Sequence, residues 1–332
     1  MTLIAGLNSG AGRQGAARAL KKVKAVAIAL GIAVALAVPL LTANNFYIHI
    51  LILAYYYTIY AVSFGLILRT GQLSLGHAAF AGIGGYCSAL LALKFSIPPA
   101  IGILAGAVVA AITAWGLGAV ILRLRGVYFI LVTFLFGEIF NLVTIDAKDF
   151  TGGANGLIGL PAVRIADFTF RSPPTFYYLM FGGAVFTVLF VYLLMRSPVG
   201  RALESIEENV VLAESIGINT RRTQVLSFAL GSGLAGFGGG LLVYYTQFAS
   251  PDYFTIWESI NALVILVVGG RASIAGWLLG VAFLTPLPEL LRDAQAWQHV
   301  AYGVILIVVM MFFPGGIVSL KDRLFPSSER SS

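Results

Sequence analysis

Apolar runs of about 20 residues, each long enough to cross the hydrocarbon core of a bilayer as a helix, recur along nearly the whole 332-residue chain. They lie at 25–41, 46–68, 71–93, 98–122, 126–145, 176–195, 225–248, 258–270, 272–291 and 298–313. The pattern predicts an all-α polytopic transmembrane bundle of about ten segments, with the eighth too short to cross as a regular helix. Lipid offers no hydrogen bonds to a peptide group, so the glycine-rich runs must be broken or packed against protein. The alternating ten-residue segments of a membrane β-barrel are absent.

Only 11% of the residues are charged and 59% are hydrophobic, against about 25% charged in a soluble domain. A water-soluble chain is excluded, and no stretch remains for an appended soluble domain. The net charge of +7 does not indicate nucleic acid, because the basic residues lie between the apolar runs, where they set topology. Placing the N-terminus in the cytoplasm puts sixteen of the 21 Lys and Arg on that side, among them Arg69, Arg123, Arg196, Arg201, Arg221, Arg222 and Arg271. Lys94, Lys148, Arg164, Arg171 and Arg292 fall outside. The positive-inside rule is then met with both termini cytoplasmic. Residues 1–24 form a cytoplasmic tail, 25–320 the membrane domain and 321–332 a second tail. The start of the chain, with Arg13, Arg18, Lys21, Lys22 and Lys24 before an apolar run, is similar to a signal peptide. The run is long for one, and a second span follows at Phe46, so an uncleaved first helix fits better.

Two connections are longer than packing requires, an external one at 146–175 and a cytoplasmic one at 196–224, and long loops tend to carry function. Small residues four apart, such as Gly102 and Gly106, Ser232 and Gly236, or Gly276 and Gly280, let helix backbones approach in a membrane. The segment Gly71-Gln-Leu-Ser-Leu-Gly76 is echoed by Gly270-Arg-Ala-Ser-Ile-Ala-Gly276, each following one apolar run and opening another, as internal repeats of transporters do. Cys87 stands alone in an apolar stretch, so no disulfide or cysteine metal site is available.

The cytoplasmic connection carries an amphipathic helix. Leu203, Ile206, Val210 and Ala213 recur at helical spacing, with Glu204, Glu207, Glu208 and Glu214 distributed around them. Gly217 lies where a left-handed residue can stop the helix. Helices that lie on lipid favour Lys and Arg on the polar face, so the acidic set points to a protein partner. A short helix joined stiffly to two spans can pass motion from such a partner into the bundle. The partner should supply energy, because the chain has no P-loop: no lysine is followed by Ser or Thr. His49, His77 and His299 show no metalloprotease spacing and no nucleophile elbow is present. The chain is expected to have no catalytic site, no metal site and no cofactor of its own.

Four blocks then occur in order. They are Gly71-Gln-Leu-Ser-Leu-Gly-His-Ala-Ala-Phe80 with Gly82, Gly84 and Gly85; Phe136-Gly-Glu-Ile139; Thr151-Gly-Gly-Ala-Asn-Gly-Leu-Ile-Gly-Leu-Pro161; and Gly200-Arg-Ala-Leu203 leading to Glu208-Asn209 and Gly217-Ile-Asn219. As a set, over residues 45 to 320, they resemble the permeases of branched-chain amino acid ABC importers, the longer M-type of the two paired subunits. The resemblance implies a second related permease, two cytoplasmic ATPases that use ATP and Mg, and a periplasmic solute-binding protein, in a bacterial inner membrane. It implies that Arg201, Ala202, Leu203, Glu208, Asn209 and Gly217 belong to the ATPase-facing region. It also implies that the loop with Thr151, Gly152, Gly153, Asn155 and Gly156 lies near the binding protein. The sequence departs from the family at Glu207, Asn141 and Gly315, each where Arg is common.

Inside the membrane, Glu138 is costly in hydrocarbon and must face protein, water or a partner. It is a pathway candidate, with an interhelical hydrogen bond as the alternative. Ser74 and His77, in a glycine- and serine-rich helix opening, are pathway candidates too, with plain packing as the alternative for His77. Leucine, isoleucine and valine are the solutes the resemblance implies, while close relatives take urea, short amides or aromatic carboxylates. A stand-alone ion-coupled transporter is the rival class, and would show paired intramembrane acids. Glu258 and Glu289 lie near predicted span ends.

Overall fold

The computed structural model describes residues 31, 35–37, 39, 44–124, 126–165, 167–271, 273–291, 298–312 and 316–318. The run at 25–41, the cleavage question attached to it, Gly315 and the C-terminal tail lie largely or wholly outside them. The chain divides into two units, Met1–Ile48 and His49–Ser332. In the first, the described residues Gly31, Ala35 to Ala37 and Pro39 are helical.

From the second unit onward the order is α1 (Asn45–Leu68, entering from the first), α2 (His77–Phe95), α3 (Pro99–Ile121) and α4 (Val127–Asp146). Then follow α5 (Pro173–Arg196), α6 (Pro198–Glu208), α7 (Val210–Ser215), α8 (Thr220–Thr246), α9 (Ile256–Gly269), α10 (Ile274–Leu284), α11 (Pro286–Leu290) and α12 (Gln298–Phe312). Six helices, α1 to α5 and α8, are long and apolar enough to cross a membrane. A seventh crossing is possible for α9 with α10 and α11, which are bent by 114° at the Gly270 break. With α12, these make the short and broken segments that the sequence predicts. Departing from all-α are two short strand pairs. β1 (Leu157–Ile158) pairs antiparallel with β4 (Phe248–Ala249), and β2 (Val163–Ile165) with β3 (Phe168–Phe170).

The densest packing joins α2, α3 and α8, and glycines make it possible. A Cβ on Gly84 would come within 2.2 Å of the Gly236 carbonyl oxygen, and one on Gly106 within 2.3 Å of the Gly84 oxygen. Backbones this close leave no room for a methyl group, which is how helices associate where lipid removes the hydrophobic drive. The Gly276 and Gly280 pair works the same way, setting α10 against Gly269, Gly270 and Ile265 of α9. Phe228 of α8 closes the core edge-on against Phe80 and Phe129, at 5.4 and 6.0 Å between ring centroids.

The third predicted span begins late. Residues Thr70 to Gly76 are irregular, and helix α2 starts at His77. Gly71 has φ 74°, the left-handed region. The freed backbone is satisfied inside protein: Leu75 N–H donates to Thr133 Oγ1 at 3.1 Å, and Gln224 Nε2 donates to the Thr70 carbonyl at 3.1 Å. The echoed segment after α9 has its own positive-φ glycine, Gly270, and its helix is capped by Ser273, whose hydroxyl accepts from Gly276 N. The ninth predicted span is split, because Pro286 and Pro288 supply no N–H to continue α10.

Charged and loop residues make contacts at two ends of the second unit. At one end Arg69 pairs with Glu207, and Arg221 donates to the Ala119 carbonyl at 2.8 Å. At the other, β1 meets β4, and the Lys94 ammonium lies 3.8 Å from the Phe150 ring centroid. The basic-rich and basic-poor connections of the sequence thus fall on opposite ends.

Candidate functional site

The connection at 196–224 is not one helix but two. Asn209 leaves helical geometry (φ −161°, ψ 110°), and its side-chain oxygen accepts from Val211 N and Leu212 N at 3.0 and 3.1 Å. An Asx cap competes with helix continuation, so α6 ends and α7 starts anew. At the far end Gly217 N bonds the Glu214 carbonyl and Ile218 N the Ala213 carbonyl, with Gly217 at φ 87°. This is the Schellman stop that a glycine there permits.

Both joints to the spans are tight. Ser197 caps α6 ahead of Pro198, and a Cβ on Gly200 would lie 2.2 Å from the Met195 carbonyl oxygen. Thr220 Oγ1 donates to Glu214 Oε1 at 2.7 Å where α8 begins. Leu203, Ile206 and Ala213 are buried against the bundle and Val210 half-buried. Arg201, Glu204, Glu208 and Asn209 are exposed and Ala202 half-buried. Of the four acidic residues, Glu207 is tied internally, to Arg69 Nη1 at 2.7 Å, and Glu214 to Thr220. Val211, Leu212 and Ile216 are 68%, 62% and 68% exposed, an apolar face that the helical spacing of the sequence does not reveal, because the break at Asn209 re-aims it.

In the loop at 146–175 the glycine-rich pattern is mostly architecture. Thr151 is buried and donates to the Thr144 carbonyl at 2.6 Å. Gly152, Gly153 and Gly156 all have positive φ, and a Cβ on Gly156 would lie 2.2 Å from the Ala249 carbonyl oxygen. Asn155, Ile158 and Phe168 are exposed.

Among the described residues, no hydrogen bond or ion pair joins Glu138 to Ser74 or His77. His77 is fully buried, with Nε2 2.9 Å from Ser63 Oγ and its ring between Tyr60 and Phe64. Ser74 is fully buried and its hydroxyl has no partner among the described residues. Glu138 is half-buried on α4, whose Leu135, Ile139 and Leu142 are exposed, and it makes no hydrogen bond or ion pair within the described residues. Asn141, one turn on, reaches the Pro251 carbonyl at 3.4 Å.

A cavity of about 490 Å³ lies elsewhere, between α1, α9, α10, α11 and α12. Helix α9 turns one face to it, with Trp257, Glu258, Asn261, Val264 and Ile265 at helical spacing. Leu53 and Tyr57 come from α1, one turn apart, and Thr285 and Glu289 from the α10–α11 junction. Tyr57 O–H donates to Glu258 Oε2 at 3.1 Å. The sequence places Glu258 and Glu289 near span ends, and the fold-back at Gly270 puts them in one lining. Glu258 as an acid in the first turn of a short apolar run was the available signal. Among the described residues no three His, Cys, Asp or Glu side chains converge as metal ligands.

Comparison with known proteins gives this architecture its family. Residues 46–314 match the family described as branched-chain amino acid transport system / permease component. The chain is 30% identical over 279 residues to the high-affinity branched-chain amino acid transport system permease protein LivM of Escherichia coli K12, covering 76% of this chain and 64% of that protein. Identity and coverage are the same for LivM of Salmonella typhimurium LT2, over 274 residues. The chain therefore spans a little under two thirds of these relatives' length. A probable branched-chain amino acid transport permease LivH of Methanocaldococcus jannaschii is 26% identical over 276 residues, 76% of this chain and 85% of that protein. No solved structure matches the chain. The long apolar helices, the glycine-packed core and these matches together make the chain a multi-pass membrane protein that belongs to the permease family of branched-chain amino acid transport systems.

Proposed function

We propose that the chain is one of two related permease subunits of an ATP-driven importer that carries branched-chain amino acids or similar small solutes across a bacterial inner membrane. Its partners are a second permease, two cytoplasmic ATPases that bind and hydrolyse ATP with Mg, and a periplasmic binding protein. Both termini are cytoplasmic, and the chain binds no cofactor itself. The observation that carries this reading is the pair α6–α7. It is capped at each end, wedged on the bundle by Leu203, Ile206 and Ala213, and leaves Val211, Leu212 and Ile216 uncovered at the basic-rich end. An apolar face on a rigid elbow is what a partner protein covers. The exposed Asn155, Ile158 and Phe168 at the opposite end suit a binding protein.

The test is reconstitution of the full complex in proteoliposomes. Uptake is expected to require ATP, and Leu212→Asp to release the ATPases while the two permeases stay together. Undiminished uptake without the ATPases would sink this mechanism. A second reading, an ion-coupled transporter acting alone, draws on Glu258 and Glu289 sharing one cavity. It requires uptake to follow an ion gradient in the absence of ATP.

A further inference from the structure

The cavity beside α9 has a chemistry of its own. Its polar groups are two carboxylates (Glu258 and Glu289), one amide (Asn261), two hydroxyls (Tyr57 and Thr285) and the Trp257 indole N–H, and the described residues lining it include no Lys, Arg or His. Leu53, Val264 and Leu306 supply apolar wall. Its volume of about 490 Å³ falls within the range of small-ligand pockets, roughly 300–1,000 Å³. Thr285 is buried, and its hydroxyl finds no partner among the described residues. Glu258 keeps one oxygen fixed by Tyr57 O–H, which orients the carboxylate without neutralising it.

An ionised carboxylate in a membrane span is costly unless a cation or water meets it. A wall that is acidic, without a cation among its described residues, and faced on its apolar side by Leu53, Val264, Ile265 and Leu306 is complementary to an ammonium group attached to an aliphatic side chain. It repels an aromatic carboxylate, and it gives urea no charge partner. Building on the permease reading, we propose that this cavity is the solute-binding wall that the chain contributes to the pathway. In it Glu258 receives the ammonium group of an aliphatic amino acid, whose side chain lies against Leu53, Val264 and Leu306. With no cation among the described lining residues, the solute's own carboxylate is left to another subunit or to water. Among the solutes compatible with the family, the cavity selects amino acids over aromatic acids and amides.

The experiment uses the complete importer in proteoliposomes, with radiolabelled leucine and the leucine-loaded binding protein. Glu258→Gln is expected to lower leucine uptake by about tenfold or more, the scale of one lost charge-assisted hydrogen bond. Complex size and ATP hydrolysis stimulated by the binding protein should persist. Glu258→Asp should recover part of the uptake. In a Cys87→Ser background, Thr285→Cys should react with a cationic water-soluble thiosulfonate and be protected by leucine but not by benzoate or urea. Wild-type uptake by Glu258→Gln in an assembled, ATP-hydrolysing complex overturns the proposal and leaves the importer reading standing. Protection by benzoate, urea or sodium ion in place of leucine overturns it as well. If the wild-type complex takes up leucine without ATP, the importer reading is what fails, and leucine protection of Thr285→Cys still decides the cavity.

Discussion

Arg69 Nη1 and Glu207 Oε2 meet at 2.7 Å, linking the end of α1 to the last turn of α6. The same guanidinium lies 5.9 Å from the ring centroid of Trp277 on α10, and Trp277 packs so closely on Gly65 that a Cβ there would sit 2.8 Å from the ring. Glu207 thus joins the α6–α7 elbow to two membrane helices. Arg69→Ala and Glu207→Ala should each lower the unfolding midpoint in detergent. A double-mutant cycle should give a coupling of about 1 kcal/mol, more than a fully exposed pair returns. The charge-swapped pair Arg69→Glu with Glu207→Arg should restore part of it. A coupling of zero would mean that the elbow is held by Leu203 and Ile206 alone.

Gly84 sets the spacing of the α2–α3–α8 core, because it faces the Gly236 backbone and its own carbonyl faces Gly106. Gly84→Ala must push apart two backbones, neither of which has a side chain that can swing away. A loss of about 2–3 kcal/mol is expected, at the upper end of what overpacking costs. It should be read as a lower melting midpoint and poorer recovery in size-exclusion chromatography. Gly182→Ala is the control, since no atom lies within 4 Å of the added methyl. It should leave the midpoint unchanged.

The membrane helices were legible because hydrocarbon imposes one rule, a long apolar run, and the structure follows it within a few residues from α1 to α5 and at α8. Small residues four apart likewise marked close-packing faces on α3, α8 and α10. What the sequence could not deliver was the outcome of competition between local hydrogen bonds and regular periodicity. Asn209 sits in a run whose apolar residues keep helical spacing, yet its side chain takes two amides and starts a new helix. Nor could it foresee which carboxylates share a space. Glu138, the acid in the clearest span, finds no partner within the described chain, whereas Glu258 and Glu289 are brought together only by the 114° bend after α9.

Asn209 offers a direct measure of that break. Its carboxamide oxygen serves Val211 N and Leu212 N, so Asn209→Ala leaves both amides at the start of α7 without a protein acceptor. The expected cost is about 1 kcal/mol, confined to α7. Hydrogen exchange at Val211 and Leu212 should quicken while exchange in α8 is unchanged. Asn209→Asp keeps the acceptor and should behave as wild type. Equal quickening in both variants would show that the cap does not hold α7.

His77 separates packing from transport most sharply. Ser63 Oγ donates to the Tyr60 carbonyl at 2.8 Å, which uses the one hydroxyl proton, so His77 Nε2 carries the hydrogen in its 2.9 Å contact with Ser63. Nδ1 is then the unprotonated nitrogen, and it has no partner among the described residues. The ring is wholly enclosed, 4.9 and 5.0 Å from the centroids of Tyr60 and Phe64, and it is not in the lining of the α9 cavity. The next residue ties α2 to α9, since Ala78 N–H donates to Ser259 Oγ at 2.9 Å. Removing the ring therefore weakens the seat of α9 without touching a solute. His77→Ala should cost about 2 kcal/mol or more, as other large-to-small core changes do. The loss should appear as a lower melting midpoint and a smaller yield of assembled complex. Uptake per assembled complex should keep its KM for leucine. A raised KM with an unshifted midpoint would instead place His77 on the solute's path, by way of a conformation in which the Tyr60–Phe64 enclosure opens.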